Sequence, residues 1–215
     1  MARLRPAPTS PPIRPITSSD DVEIREKRTV YQGHFRVDRY RLRHRLHAGG
    51  WSAEITREVF ERGHAAAVIP YDPIRDEVVL IEQFRVGAYA AGRSPWLVEI
   101  VAGIIDPGET PEQVVRREAR EEAGLDVGTL ERIAEYLPSP GGASESVVLF
   151  CGRVDTTNAG GIHGHPDEGE DILVRVHPYA AVENMLRTAS ASNAVTLIAL
   201  QWLALNRDGL RARWR

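Results

Sequence analysis

The chain predicts an α/β protein: a mixed sheet flanked by helices, preceded by a small antiparallel unit. Three features of its 215 residues carry that prediction. Polar and apolar residues alternate with period two between about Val22 and Phe60, as half-buried strands require. Short apolar runs then recur between turn-forming residues. Between and after them lie segments whose apolar residues return at helical spacing.

The elements follow in order. The first 21 residues hold five of the 14 prolines, with Arg3, Arg5 and Arg14 and no acid before Asp20. Proline at this density prevents the amphipathic helix of an organelle transit leader, and the apolar core of a secretory signal is missing. Residues 1–19 are therefore expected to be a flexible Pro-rich tail. Residues 20–61 read as the antiparallel β-domain. Asp38, Tyr40, Leu42, His44 and Leu46 make one mostly apolar or aromatic face; Arg39, Arg41, Arg43 and Arg45 make the other. Ala48-Gly49-Gly50 reads as a hairpin turn into a second strand, Trp51 to Phe60. Residues 62–215 read as the main domain. Strands are expected at 65–69 and 78–81, joined by the turn-rich Asp72-Pro73-Ile74-Arg75-Asp76, and again at 96–101. A helix runs from Pro111 to Ala123, strands recur near 129–137, 145–153 and 172–177, and helices close the chain near 178–187 and 193–206. The last carries Val195, Ile198, Ala199, Trp202 and Leu203 at helical spacing, a core or subunit-contact stripe.

Composition excludes several functions. The formal charge of −3 lacks the basic excess of a nucleic-acid binder. Lys27 is the only lysine beside 26 arginines, a bias that no single site requires. No stretch reaches the roughly 18 apolar residues of a membrane span. Cys151 stands alone, so neither an intrachain disulfide nor a cysteine-based zinc site is available, which predicts a reducing cytoplasm.

Residues 103–125, GIIDPGETPEQVVRREAREEAGL, carry the chemistry. Thr110 suits a helix N-cap, Pro111 the first helical position, and Gln113 completes a capping box. Gly103 and Gly108 bracket a sharply turning loop, and Gly124 fits the helix end. Glu118, Glu121 and Glu122 fall on one helical face, where like charges repel. A hard divalent cation that takes oxygen ligands makes sense of them. Glu109 and Arg117 are placed to pair and hold the loop on the helix.

The spacing is specific. Gly103, five residues, Glu109, seven residues, Arg117-Glu118, Ala119, Arg120, Glu121-Glu122, Ala123, Gly124 and Leu125 match the Nudix box at every specified position. From about residue 20 onward the chain resembles the bacterial ADP-ribose pyrophosphatases of the Nudix family. The matching segments are Phe60–Ala66, Leu80-Ile81-Glu82-Gln83 with Arg85, Ser139-Pro140-Gly141-Gly142 and Gly161-Ile162-His163-Gly164. Pro140, 16 residues past Gly124, resembles the proline that marks ADP-ribose hydrolysis within the family.

The resemblance implies a Nudix fold, an α/β/α sandwich, in a homodimer whose N-terminal β-domains swap across. It implies hydrolysis of ADP-ribose to AMP and ribose 5-phosphate with two or three magnesium ions, manganese being a substitute. It assigns Glu118 and Glu122 as metal ligands beside the main-chain carbonyl of Ala102, with Glu121 a ligand to a subset of the ions. In the acidic segment Asp167–Asp171 it assigns Glu168 as general base and Glu170 as a metal ligand. Arg85 is expected on the diphosphate, and Ser139 and Glu145 near the distal ribose. Arg57 is expected near the adenine or its ribose, from the partner's β-domain, and His34 or Phe35 stacked on the adenine. His163 and His165 are expected to be polar loop residues, because magnesium disfavours nitrogen. Two alternatives remain at this level: a pyrophosphatase for another nucleoside diphosphate sugar such as GDP-mannose, and a non-hydrolysing ADP-ribose-binding module. Modules of that kind have typically lost box glutamates, and none is missing here.

The charge is also partitioned. Residues 101–126 hold seven acids and three arginines, a net of −4, and residues 166–171 hold four acids and no base, another −4. The remainder carries +5, an arginine-rich body suited to an anionic substrate.

Overall fold

In the computed structural model, residues 19–165, 167 and 169–214 are described. The expected tail, up to residue 18, and Glu168 lie outside them. The chain divides between Glu61 and Arg62 into two units.

After a single 3-10 turn at Ser19–Asp21, the N-terminal unit is a three-stranded antiparallel sheet of Val22–Gln32 (β1), Arg36–His44 (β2) and Ile55–Glu61 (β3), in the order β1-β2-β3. The arginine face of β2 is neutralised across the strands: Arg39 meets Glu58, Arg41 meets Glu26 and Glu54, and Arg43 meets Glu23. Asp38, on the opposite face, is buried. It accepts from Thr29 Oγ1 at 2.8 Å and pairs with Arg36 and Lys27. The Thr29 hydrogen bond, foremost, outweighs desolvation and holds the carboxyl below its ordinary range. The expected hairpin is looser than the sequence suggests. β2 stops at His44 and β3 starts at Ile55, with an isolated bridge from Arg45 to Trp51. Gly49 and Gly50, both at positive φ, end the pairing early, and Arg43 and Arg45 lie over the Trp51 ring.

The second unit holds a mixed sheet. Its strands are Ala65–Asp72 (β4), Glu77–Phe84 (β5), Trp96–Glu99 (β6), Val101–Ile104 (β7), Leu130–Tyr136 (β8), Val147–Arg153 (β9), Gly161–His163 (β10) and Ile172–Pro178 (β11). The spatial order is β10-β11-β5-β4-β9-β8, with β4 parallel to β9. β4 and β5 pair only at Tyr71–Val78 and Asp72–Glu77 and then diverge. β6 pairs with β5 and β7 with β4, so the two short strands fill the fork. The single strand expected at 96–101 is therefore two, broken at Ile100, because one run must serve two diverging partners.

Both faces of the sheet are covered, which is why its central strands read as continuous apolar runs. Ala66 and Val68 of β4 pack with Val114, Val115, Ala119 and Ala123 of the helix Pro111–Ala123 (α2, following the short Val86–Ala90 helix, α1). Ala67, Ile69 and Tyr71 point the other way. They join Val182 of Tyr179–Arg187 (α3) and Ala199, Leu200, Leu203 and Leu210 of Ala194–Trp214 (α4). α4 runs two turns beyond its expected end at 206. Burial of Leu210 and Trp214, and the pairing of Arg207 and Arg211 with Asp76, outweigh the cost of Gly209 inside the helix. No helix among the described residues is long and apolar enough to cross a membrane.

Candidate active site

α2 begins as its sequence dictates. Thr110 Oγ1 accepts from Gln113 N–H, the Gln113 side chain returns to Thr110 N–H at 2.8 Å, and Gly124 closes the helix in the left-handed conformation at φ 64°. The loop before it is held by Arg117, whose Nε and Nη2 reach both oxygens of Glu109 at 3.0 and 3.1 Å. Arg117 Nη1 donates to Glu118 at 2.7 Å and to Glu121 at 3.1 Å. Glu109 foremost, these carboxylates hold Arg117 protonated well above its ordinary range.

Glu118 lies across β7 at Gly103. A Cβ there would stand 1.8 Å from Glu118 Oε1, so only glycine admits the carboxylate. Glu122, one turn on, is 4% exposed and accepts from Ala102 N–H at 3.2 Å. Burial first, and then the charge of Glu118, pushes its carboxyl up to about 8. Burial also raises Glu118, against Arg117 and with help from Glu121 and Glu170. Glu170 bears on both Glu118 and Glu122, and Arg85 opposes the rise at Glu122. One face of α2 thus gathers Glu118, Glu121, Glu122, Ala102, Gly103, Glu170 and Arg85.

The glutamates and the Ala102 carbonyl among them fit a hard divalent cation: they offer only oxygen, carry excess negative charge, and sit in a cradle open only because Gly103 lacks a Cβ. Among the described residues no three His, Cys, Asp or Glu side chains already converge as a closed ligand set. Glu118 and Glu121 both rest on Arg117 instead.

A family model described as NUDIX domain matches residues 61–199. The chain belongs to the Nudix family. It is 50% identical over 201 residues to an ADP-ribose pyrophosphatase of Escherichia coli strain K12, covering 93% of this chain and 96% of that one. It is 36% identical over 154 residues to a GDP-mannose pyrophosphatase of Enterobacter sp. strain 638, covering 70% and 78%. In fold it resembles a solved structure titled "Crystal structure of ADP compounds hydrolase", with a TM-score of 0.68 at 21% identity, covering 93% of this chain and 100% of that one.

The other expected residues of the Nudix domain make local contacts of their own. Ser139 is exposed, and its carbonyl accepts from Gly142 and Ala143 N–H in the Pro140-Gly141-Gly142 turn. Glu145 is largely buried, 3.6 Å from Arg62. His34 and Arg57 belong to the N-terminal unit. There the His34 ring meets Phe35 edge-on at 4.6 Å, and Arg57 Nη1 donates to Thr56 O. His163 is structural: its Nε2–H donates to Gly160 O at 3.0 Å, and its ring fills the space a Cβ on Gly124 would need. His165 stands 4.0 Å from Glu121.

Three further groups gain a setting that no role assigned from the sequence describes. Glu99, nearly buried, holds Arg85. His64 Nδ1 accepts from Ser146 N–H at 3.2 Å, at the shared start of β4 and β9. Gln83 Nε2 is buried with no hydrogen-bond partner among the described residues. For Glu99 a signal exists: a carboxylate inside the apolar run Trp96–Val101 must be paired.

Proposed function

We propose that the protein hydrolyses the diphosphate of ADP-ribose to AMP and ribose 5-phosphate, as a magnesium-dependent cytoplasmic homodimer. The observation that carries the reading is the buried Glu122–Glu118 pair laid over Ala102 and Gly103, with Arg85 facing it. The chain spans nearly the whole of a 50% identical ADP-ribose pyrophosphatase, whereas the GDP-mannose pyrophosphatase match is weaker and shorter, which favours ADP-ribose over that alternative.

Glu118, Glu122, Glu170 and the Ala102 carbonyl would hold the cations, with Glu121 serving a subset. Bound there, divalent ions neutralise the diphosphate, orient its oxygens and acidify a water. The residues of the chain do the rest. Glu168 takes the proton of the attacking water. Arg85 presents its terminal guanidinium nitrogens to the diphosphate. Ser139 and Glu145 orient the distal ribose. Arg57 and His34 or Phe35, supplied by the swapped N-terminal sheet of a second copy, hold the adenosine half. Exposed apolar side chains on that sheet and its first turn, Val22, Ile24, Tyr31 and Phe35 among them, support its being covered in a dimer.

A product assay tests the reading. ADP-ribose with magnesium should yield AMP and ribose 5-phosphate, and Glu122→Gln should abolish most turnover while leaving the fold largely intact. Faster turnover of GDP-mannose by a wide margin, or near-normal activity in Glu122→Gln, would overturn it.

A further inference from the structure

Arg85 follows β5 directly, with its side chain half exposed and, among the described residues, a single side-chain hydrogen bond to fix it. Its Nε–H donates to Glu99 Oε2 at 2.8 Å. Nη1 and Nη2 make no hydrogen bond with the described residues. Glu99 is the last residue of β6 and only 7% exposed. Its other oxygen accepts from Asn193 Nδ2 at 2.8 Å. Asn193 in turn caps α4, its Oδ1 accepting from Thr196 N–H at 2.9 Å, and Thr196 Oγ1 accepts from Ile100 N–H at 3.1 Å. The first turn of α4 is thereby stitched to the β6–β7 break, and the stitch ends on the arginine that faces Glu122.

The geometry is not that of a bidentate ion pair. Arginine–carboxylate pairs are frequently bidentate, with two nitrogens engaged. Here the carboxylate divides its two oxygens between Arg85 Nε and Asn193, and the Nη pair of the guanidinium has no hydrogen-bond partner among the described residues. A buried carboxylate is costly unless both oxygens are satisfied, so Asn193 completes what Arg85 leaves open. Fixing Nε also pre-orders a long side chain before substrate arrives, which lowers the entropy lost on binding.

We propose that Glu99 and Asn193 are positioning residues for Arg85, holding its Nε so that its two terminal nitrogens are presented to the substrate diphosphate. The nature of that anion rests on the function proposed above; the holding of Arg85 does not. Asn193→Ser keeps an oxygen to cap α4 but is too short to reach Glu99. Glu99→Gln keeps the shape but cannot accept from both donors. Each should raise KM for ADP-ribose by about fivefold or more with a smaller change in kcat, while the melting temperature stays within a few degrees. In an Arg85→Lys background, which lacks the Nε–H, either substitution should add less than about twofold. By NMR, the Arg85 Nε–H resonance, assigned by its loss in Arg85→Lys, should exchange slowly in the wild type and rapidly in Asn193→Ser. Free exchange of that proton in the wild type would overturn the proposal, as would an unchanged KM in both variants or fully additive losses with Arg85→Lys. If the wild type does not hydrolyse ADP-ribose, the proposed function falls, and the NMR arm still decides the positioning.

Discussion

Gly103 shows how much one missing methyl group decides. Its φ is ordinary, so the glycine is not there for backbone freedom. It is there because Glu118 occupies the place of its Cβ. Gly103→Ala should force Glu118 off β7 and weaken divalent-metal affinity by about 10–100-fold, as disturbing the support of a ligand typically does. Titration of the variant with magnesium or manganese checks this; unchanged affinity would mean that Glu118 binds metal from another position. The box spacing made Gly103 and Glu118 legible in the sequence, but not their contact. Glu99 was less legible. Periodicity reads it as an interruption of an apolar strand, and its partners are 14 residues earlier and 94 residues later in the chain.

At the scale of elements, α2 was the most predictable part of the molecule. Its cap, first turn and C-terminal glycine are local chemistry, and the observed bounds, Pro111–Ala123, agree with the expected ones. Thr110→Ala removes one half of the capping box, the 3.3 Å bond from Gln113 N–H to Oγ1, and leaves that N–H only the Thr110 carbonyl at 3.0 Å. It should lower stability by about 1 kcal/mol and the melting temperature by roughly 2–4 °C. Calorimetry on the variant checks this, with metal affinity measured alongside, since Arg117 and the glutamates sit beyond the first turn. The short elements were harder. α1 buries none of its five residues and β10 has three, so neither offers a period to read. The break at Ile100 leaves no local mark, because it answers to the divergence of β4 from β5.

For the whole molecule, Asp72 ties distant segments together. It lies at the end of β4, 1% exposed, and accepts from Ile74 N–H, Arg75 N–H and Nη1, and Thr156 N–H and Oγ1. Thr156 follows β9 and is 84 residues away in the chain. Burial alone would raise the Asp72 carboxyl, but these donors outweigh it and push it down to about 2 from 3.8. A depressed carboxylate stabilises the fold above its unfolded value and loses that contribution as pH falls through its folded one. The stability advantage of the wild type over Asp72→Asn should therefore narrow by about 2 kcal/mol between pH 6 and pH 2. Urea unfolding of both proteins across that range measures it; a constant gap would show that the charge of Asp72 contributes nothing.

The amino-acid order alone carried the family signature, the capped acidic helix, the covered sheet and the partition of charge, because each is written in local spacing or composition. It could also state that the box glutamates repel one another and call for a cation. It could not state that Glu118 rests in the gap at Gly103, that Glu122 is buried against Ala102, or that Arg85 is gripped through Glu99 by the first turn of α4. Those depend on β6 and β7 filling the fork between β4 and β5, and on α2 and α4 covering opposite faces of that fork. Packing brings residues from four separate segments to one place, and no window along the chain is long enough to contain them.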